Sequence, residues 1–246
     1  MMRALLLSIL ILLAGCQTTR EVAPVPSSTL STDNLAAHFE AIAFSSDDGS
    51  VERDQLIRWT VPIRWTIASG IPGGWLRIHD RLQQQFATLA AVTGLDIAYV
   101  EDRDLANFKV AYTTKAELTA SLRHTGGYYA KMANSAPWRR AACYASVRRT
   151  PSGQIMFGWI AIGSEADDTL LRSCIVVETT QAMGILRDAA AVRPSVAEEG
   201  YLVIDTLPKA DEIILRTLYD PRLKPGMTKA EAMPIARQII GELWQD

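Results

Sequence analysis

Apolar and polar residues alternate along several stretches of the chain, and this alternation predicts the strands. Between residues 63 and 67, isoleucine and tryptophan occupy every second position, which is typical of a strand with one buried face. Similar patterns predict strands at 95–100 and 107–113. A Pro-Ser-Gly turn separates two more β-type segments, 143–149 and 154–162, and predicts a hairpin. Because the second arm is apolar on both faces, we expect it inside the sheet.

Apolar residues spaced three and four positions apart predict the helices. The predicted helices cover residues 75–92, 114–122, 167–186, 211–219 and 228–244. The first has the clearest apolar stripe, which comprises Trp75, Ile78, Leu82, Phe86 and Leu89. Thr114–Glu117 and Thr228–Glu231 match the capping box that opens a helix. The segment 34–44 is expected to be helical or irregular, with His38 at the surface, and 124–140 to form a loop.

The helix predicted from Asp167 or Asp168 to about residue 186 has a polar pair within an apolar face. Its inward face comprises Leu171, Cys174, Glu178, Gln181 and Ile185, which lie three or four positions apart. A buried carboxylate must be paired or neutralised. Glu178 and Gln181 are therefore candidate site residues, together with Arg187 and Asp188, which follow the helix.

The segment Val177–Gln181 has the spacing of the zincin helix motif H-E-x-x-H, with Gly184 at the glycine of the longer metzincin motif. The three metal-ligand positions, however, hold Val177, Gln181 and Arg187. Valine has no donor atom, glutamine offers a neutral amide oxygen, and arginine would repel a cation. His38, His79 and His124 lie on separate elements without ligand spacing. We therefore expect no metal and no other cofactor.

Two hypotheses remain for Glu178. It forms structural hydrogen bonds or pairs with an arginine such as Arg187, or it acts as a general acid in a zinc-independent hydrolase of peptide or cell-wall glycan. A hydrolase of this kind usually needs a second carboxylate, and Asp188 and Asp205 are the candidates. No nucleophile motif is present, because Ser195 lacks a G-x-S-x-G context and a nearby histidine.

Composition bounds the class of protein. The chain has 246 residues, of which 48% are hydrophobic and 21% are charged, and its net charge is −2. These values are typical of one globular domain with an ample core. Proteins that bind nucleic acid usually have an excess of basic residues, and this chain has a near-neutral net charge. We therefore expect no nucleic-acid partner.

The N-terminus resembles a bacterial lipoprotein signal. A basic start and an apolar run of ten residues precede Leu13-Ala14-Gly15-Cys16, which is similar to the lipobox. This resemblance implies a signal peptide at 1–15 and acylation of Cys16, for example with palmitate; an ordinary secretory signal is the alternative. Because Gln17 replaces the aspartate that retains lipoproteins in the inner membrane, we expect an outer-membrane anchor facing the periplasm. A flexible Thr/Ser/Pro-rich tether then covers 16–35, and a single globular domain covers 36–246.

If Cys16 is acylated, the two remaining cysteines are Cys143 and Cys174, which form an even pair. The periplasm is oxidising, which favours a disulfide between them. Two separate buried thiols are the alternative, because free cysteine packs as a small hydrophobic residue.

The element order is strand, long helix, two strands, hairpin, central helix and C-terminal helices, and it resembles that of a zincin over roughly residues 60–230. This resemblance implies an α+β fold with a twisted mixed sheet, a long packing helix, a central helix of the active-site type and a helical C-terminal subdomain. Pro225-Gly226-Met227 lies where metzincins have their methionine turn.

The chain also resembles a family of uncharacterised Gram-negative lipoproteins with a domain of unknown function. The shared features are Arg58-Trp59, Pro62-Ile63-Arg64, Thr93-Gly94-Leu95, Cys174, Glu178-x-x-Gln181-x-x-Gly184, Asp188, Leu218-Tyr219-Asp220-Pro221 and Pro225-Gly226-Met227. Val177 departs from the family, which often has a second glutamate there. The resemblance implies a fold and a location without a reaction. We therefore expect a non-catalytic binding or scaffold protein whose partner is an envelope protein or a cell-wall component.

Overall fold

Six strands form one mostly parallel sheet in the computed structural model, which describes residues 30–44, 55–125, 127–135, 141–185, 192–197 and 203–245. The strands are β1 Arg58–Trp59, β2 Ile63–Ser69, β3 Ile97–Tyr99, β4 Phe108–Thr113, β5 Cys143–Arg149 and β6 Gln154–Gly163. The order across the sheet is β5-β6-β4-β2-β3, and β1 pairs with the first residues of β6 on the side of β4. Every pairing is parallel except that of β5 with β6, which confirms the predicted hairpin.

Strand β6 lies inside the sheet, as its apolar sequence predicts, because β5 borders one side and β4 the other. Its two faces contribute to separate clusters of apolar side chains. Ile160 and Ile162 join the main core, whereas Ala161 packs with Leu118 and Leu122 of a neighbouring helix.

Seven helices are present in the described part of the chain. They are α1 Thr32–Ala43, α2 Gly74–Thr93, α3 Lys115–Thr125, α4 Gly127–Ala133, α5 Asp168–Gln181, α6 Lys209–Tyr219 and α7 Lys229–Gln245. The mixed α+β fold is therefore confirmed. Among these described helices, we find none with the length and apolar character that crossing a membrane requires.

Helix α2 covers one face of the sheet and extends the core. Its Phe86 ring stacks on Trp65 of β2, with ring centroids 4.9 Å apart, and meets Phe108 of β4 edge-on at 5.2 Å. Ile78, Leu82 and Leu89 of the predicted stripe are fully buried, but Trp75 is 49% exposed. The first turn of α2 therefore projects beyond the core.

Two predictions about helices differ from the structure. Helix α4 occupies part of the expected loop 124–140, because Ala133 packs against the apolar side of α3. Helix α5 ends at Gln181 rather than near residue 186, because the chain turns through Gly184 at φ +118°. A Cβ atom on Gly184 would lie 2.4 Å from the carbonyl oxygen of Ile57, so only glycine fits this turn.

Helix α1 begins within the stretch that the sequence assigns to the tether. Ser31 caps the helix by accepting a hydrogen bond from the Asn34 amide at 3.2 Å, and Leu35 is fully buried. The predicted surface position of His38 is wrong, because its side chain is fully buried on the same face of α1.

The predicted disulfide between Cys143 and Cys174 is confirmed. It joins the edge strand β5 to the central helix α5, with the two Cα atoms 5.7 Å apart. The helix is thus covalently attached to one border of the sheet.

Candidate functional site

The candidate residues Glu178 and Gln181 lie near the C-terminal end of α5. Glu178 is 7% exposed, and Gln181 is half-buried. The Gln181 side-chain amide donates a hydrogen bond to the backbone carbonyl of Val196 at 3.0 Å. Gln181 therefore connects α5 to the segment 192–197. The other two candidates, Arg187 and Asp188, lie outside the described residues.

A half-buried arginine next to this region connects the sheet to the C-terminal helices. The guanidinium of Arg58 donates hydrogen bonds to the carbonyl oxygens of Leu218 at 2.7 Å, Leu223 at 2.9 Å and Asp220 at 3.0 Å. It also lies 4.8 Å from the ring centroid of Tyr219. These carbonyls surround the C-terminal end of α6, where the helix dipole favours a cation. Burial lowers the pKa of Arg58, and the charge of Asp220 opposes that effect.

The hydroxyl of Tyr219 joins three segments. It accepts a hydrogen bond from the Trp59 amide at 3.2 Å and donates one to the Met183 carbonyl at 2.8 Å. The Trp59 indole N–H donates to the Ala182 carbonyl at 3.0 Å. Burial raises the pKa of Tyr219, so the hydroxyl keeps the proton that it donates. Strand β1, helix α6 and the turn after α5 are therefore held together at one point.

The turn 225–227 completes this attachment. Leu56 donates to the Met227 carbonyl at 2.8 Å and accepts from the Gly226 amide at 2.9 Å. Gly226 has φ +84°, and a Cβ atom there would lie 2.8 Å from the carbonyl oxygen of Ser152. We call the set formed by Arg58, Trp59, Tyr219 and the turns 182–184 and 225–227 the interlayer joint. Half of the sequence features that carry the family resemblance lie in or beside it, namely Arg58-Trp59, the motif ending at Gly184, Leu218-Tyr219-Asp220-Pro221 and Pro225-Gly226-Met227.

Three buried polar side chains form a second cluster that sequence reasoning missed. His38 Nε2 lies 3.0 Å from Ser195 Oγ, and Ser195 Oγ donates to Asp211 Oδ1 at 2.8 Å. The absence of a histidine near Ser195 in the sequence was misleading, because the two residues are 157 positions apart. No local signal indicates such a contact.

This cluster has the residue types of a catalytic triad but not its order. A nucleophilic serine transfers its proton to a histidine that the carboxylate orients. Here the serine lies in the middle and donates its hydrogen bond to Asp211 instead of to His38, and all three side chains are fully buried. The arrangement therefore stabilises the fold and does not activate the serine.

The hydrogen bonds define the protonation of the cluster. Ser195 Oγ also accepts from the Ala197 amide at 3.1 Å, so its remaining acceptor site takes the Nε2–H of His38. Nδ1 of His38 has no hydrogen-bond partner in the described part of the chain. Burial lowers the pKa of His38 to about 4 and raises the pKa of Asp211 to about 6, although bonds from Ser195 and Val196 oppose the latter shift.

The donor set near α5 does not match a zinc centre. Val177 has no ligand atom, and the amide nitrogen of Gln181 is engaged with Val196. Within the described ranges, no three histidine, cysteine, aspartate or glutamate side chains are grouped so that they could hold a metal ion.

Fold and contacts together define an α+β domain whose mostly parallel sheet is attached to C-terminal helices through a buried joint. The chain belongs to the family described as Protein of unknown function (DUF2927), whose model matches residues 32–238. This match extends from the first residue of α1 into α7, and it confirms the resemblance to a family with a domain of unknown function. A search of curated proteins gives no match.

Proposed function

We propose that this protein is a lipid-anchored envelope protein with a non-catalytic binding or scaffold role, built on a metal-less zincin-like fold. Its anchor is Cys16, its location is the outer membrane facing the periplasm, and its partner is an envelope protein or a cell-wall component. The order of β2, α2, β3, β4, the β5–β6 hairpin, α5 and the C-terminal helices supports the zincin-like layout. The lipobox-like sequence ending at Cys16 supports the anchor.

The contact of Gln181 with Val196 is the observation that carries the non-catalytic role. In a zincin this helix position holds a histidine whose nitrogen binds the metal. Here the side-chain nitrogen donates to a backbone carbonyl 3.0 Å away and thereby fixes the segment 192–197. The turn that follows is engaged by Trp59 and Tyr219. The end of α5 therefore attaches this helix to strand β1, to helix α6 and to the segment 192–197.

The alternative, a zinc-independent hydrolase, depends on access of substrate to Glu178. A groove of about 300 Å³ lies between α2 and α5 and is lined by Ile175, Val176 and Asp205, but not by Glu178. Glu178 is also 7% exposed. General acid catalysis requires the acid within hydrogen-bond reach of the reacting group, so the scaffold role is favoured.

Substrate assays on the full chain test this proposal. The purified protein and its Glu178→Gln variant are incubated separately with casein and with peptidoglycan sacculi. We expect no release of peptides or glycan fragments above that of the variant. Cleavage by the wild type that disappears in Glu178→Gln would overturn the non-catalytic role and establish the hydrolase.

A further inference from the structure

Strand β3 ends before its neighbour β2 and leaves part of β2 as an open edge. The two strands pair only from Ile63 to Trp65, and the last bond runs from the Val100 amide to the Trp65 carbonyl at 2.9 Å. Strand β2 continues to Ser69 and remains paired with β4 on its other side. Among the described residues, no strand pairs with that side of β2 beyond Trp65.

The backbone of Ile67 faces that side. Successive carbonyls of a strand point in opposite directions. The Arg64 carbonyl accepts from Asn107 next to β4, and the Trp65 carbonyl accepts from Val100 next to β3. The N–H and C=O of Ile67 therefore point away from β4, and neither has a hydrogen-bond partner within the described ranges. An open edge of this kind is a template for another strand.

A groove of about 650 Å³ lies along this edge. One wall consists of aromatic side chains: the His79 ring meets Tyr99 edge-on at 5.0 Å and Trp75 edge-on at 5.9 Å. Tyr99 in turn lies 4.8 Å from the buried ring of Trp65, which attaches the wall to the core. Trp75 is 49% exposed, so part of its side chain is available for contact. Volume and lining are typical of a binding site.

The rim of the groove has charges of both signs. Glu101 and Arg103 follow β3 and are exposed. In the part of the chain that the structure describes, neither side chain forms an ion pair or a hydrogen bond. Both are available to a charged group of a ligand.

We propose that this groove binds an extended peptide segment, which pairs with β2 as an added strand. The unpaired N–H and C=O of Ile67 match the backbone of a peptide strand. The peptide supplies the pairing that β3 does not supply beyond Tyr99. Alternate side chains of the peptide then point at the aromatic wall, so an apolar or aromatic residue fits there. The open part of β2, from residue 66 to Ser69, is long enough for about three to four peptide residues at ~3.3 Å each.

A glycan would use this site differently. A sugar ring stacks on an exposed indole, but it does not present a donor and an acceptor at the spacing of a strand. The backbone of Ile67 therefore favours a peptide. The groove lies at the edge of the sheet opposite β5, and none of its lining residues belongs to α5. This inference is consequently independent of the role proposed for the end of α5.

Selection from a random peptide library tests the site. A phage library of random heptapeptides is panned against the full chain in detergent, and the enriched sequences are synthesised. We expect Trp75→Ala to weaken their binding by about tenfold or more, because it removes the exposed part of the wall. The matched control is Leu76→Ala, which changes an exposed residue of the same helical turn that does not line the groove. It is expected to change the affinity by less than about twofold.

Amide hydrogen exchange separates strand addition from contact with side chains alone. The Ile67 amide is expected to exchange more slowly with the synthetic peptide bound, and N-methylation of the peptide at alternate positions to abolish binding. The proposal is overturned if no peptide is enriched, if Trp75→Ala and Leu76→Ala bind equally well, or if binding leaves the exchange of Ile67 unchanged. Saturable, Trp75-dependent binding of chitotetraose without any enriched peptide would also overturn it and assign the groove to glycan.

Discussion

Two polar side chains of the interlayer joint are bonded to backbone atoms of distant segments. Arg58 is bonded to carbonyls around the end of α6, and Tyr219 to Trp59 and Met183. An arginine can satisfy several carbonyls at once because its guanidinium is a planar set of five donors. Arg58 and Tyr219 thus determine how the sheet meets the C-terminal helices, and substitution of Arg58 tests that role directly.

Replacement of Arg58 by lysine should destabilise the protein although the charge is kept. A lysine ammonium is a single nitrogen, so it cannot also reproduce the bond from Nη2 to the Tyr219 carbonyl at 3.3 Å, and it loses the planar contact with the Tyr219 ring. Acceptors left without donors inside a protein are costly. We expect Arg58→Lys to lower the free energy of unfolding by about 2–4 kcal/mol in urea denaturation. The control Arg64→Lys, at an arginine paired with the exposed Asp96, should cost less than about 1 kcal/mol. Equal effects would argue against a special role for Arg58.

The cluster of His38, Ser195 and Asp211 predicts opposite pH dependences for two variants. Between pH 4 and 6, folded Asp211 keeps a proton that the unfolded chain has lost, because its pKa is raised from 3.8 to about 6. The free energy of unfolding therefore falls with rising pH on account of Asp211. His38, whose pKa is lowered from 6.5 to about 4, is neutral when folded and protonated when unfolded. The contribution of His38 to the free energy of unfolding therefore rises with pH, and it nearly cancels the falling contribution of Asp211.

Removal of one partner exposes the contribution of the other. From pH 4 to 6, the stability of Asp211→Asn relative to wild type should rise by about 2 kcal/mol, and that of His38→Asn should fall by about as much. Denaturant melts at intervals of half a pH unit measure both differences, and the background from surface carboxylates cancels in the subtraction. Parallel pH profiles for the two variants and the wild type would contradict the opposed titrations.

Glu178→Gln distinguishes a structural carboxylate from a reactive one. If the carboxylate stabilises a buried partner of opposite charge, its neutralisation should cost about 3–5 kcal/mol and lower the melting temperature by several degrees. An exposed glutamate, Glu101, is the matched control, and Glu101→Gln should leave the melting temperature unchanged. An unchanged or higher melting temperature for Glu178→Gln would instead indicate a reactive carboxylate, because reactive groups are commonly kept although they lower the stability of the fold.

At the scale of elements, the disulfide attaches α5 near its middle, and the joint attaches it at its C-terminal end. Cys174 lies in the first half of α5, and Gln181 and the turn 182–184 lie at its end. The helix is therefore held by β5 on one side and by β1 and α6 on the other. This double attachment explains why α5 keeps a central position although its polar residues interrupt the apolar face.

The cross-link between Cys143 and Cys174 closes a loop with a sequence separation of 31 residues. The chain-entropy model assigns about 3–4 kcal/mol to such a loop. We expect the double variant Cys143→Ala/Cys174→Ala to unfold at a correspondingly lower denaturant concentration. Reduction of the wild type should produce the same shift and should not affect the variant. Labelling of the unfolded, unreduced wild type after acylation of Cys16 should detect no free thiol, and two labelled thiols would reject the bond.

At the scale of the whole molecule, the proposed anchor positions the domain at a membrane. Cys16→Ser is expected to abolish incorporation of an alkyne-palmitate label in a Gram-negative host, because serine offers no thiol for acylation. Gln17→Asp provides a matched control, since it should keep the label but move the protein from the outer to the inner membrane in sucrose-gradient fractions. A labelled Cys16→Ser variant, or an unlabelled wild type, would contradict the lipoprotein assignment.

The order of elements follows from local sequence patterns. Period-two alternation predicted β2, β4 and the β5–β6 hairpin, and three- and four-residue spacing predicted α2, α5 and α6. Capping boxes predicted the starts of α3 and α7, where Glu117 and Glu231 bond to Thr114 and Thr228 as expected. The disulfide was predictable because the lipobox-like N-terminus predicts an oxidising compartment, in which an even pair of cysteines favours a bond. These signals depend on neighbouring residues alone.

The long-range contacts were decided only by the tertiary structure. Arg58 meets Leu218 across 160 positions, and His38 meets Ser195 across 157, so no local periodicity indicates either contact. The early end of α5 depends on the approach of Gly184 to the Ile57 carbonyl, and α4 depends on packing against α3. The peptide groove likewise exists because β3 is shorter than β2. Burial and unpaired backbone groups are properties of the packed layers, and a linear pattern therefore cannot specify them.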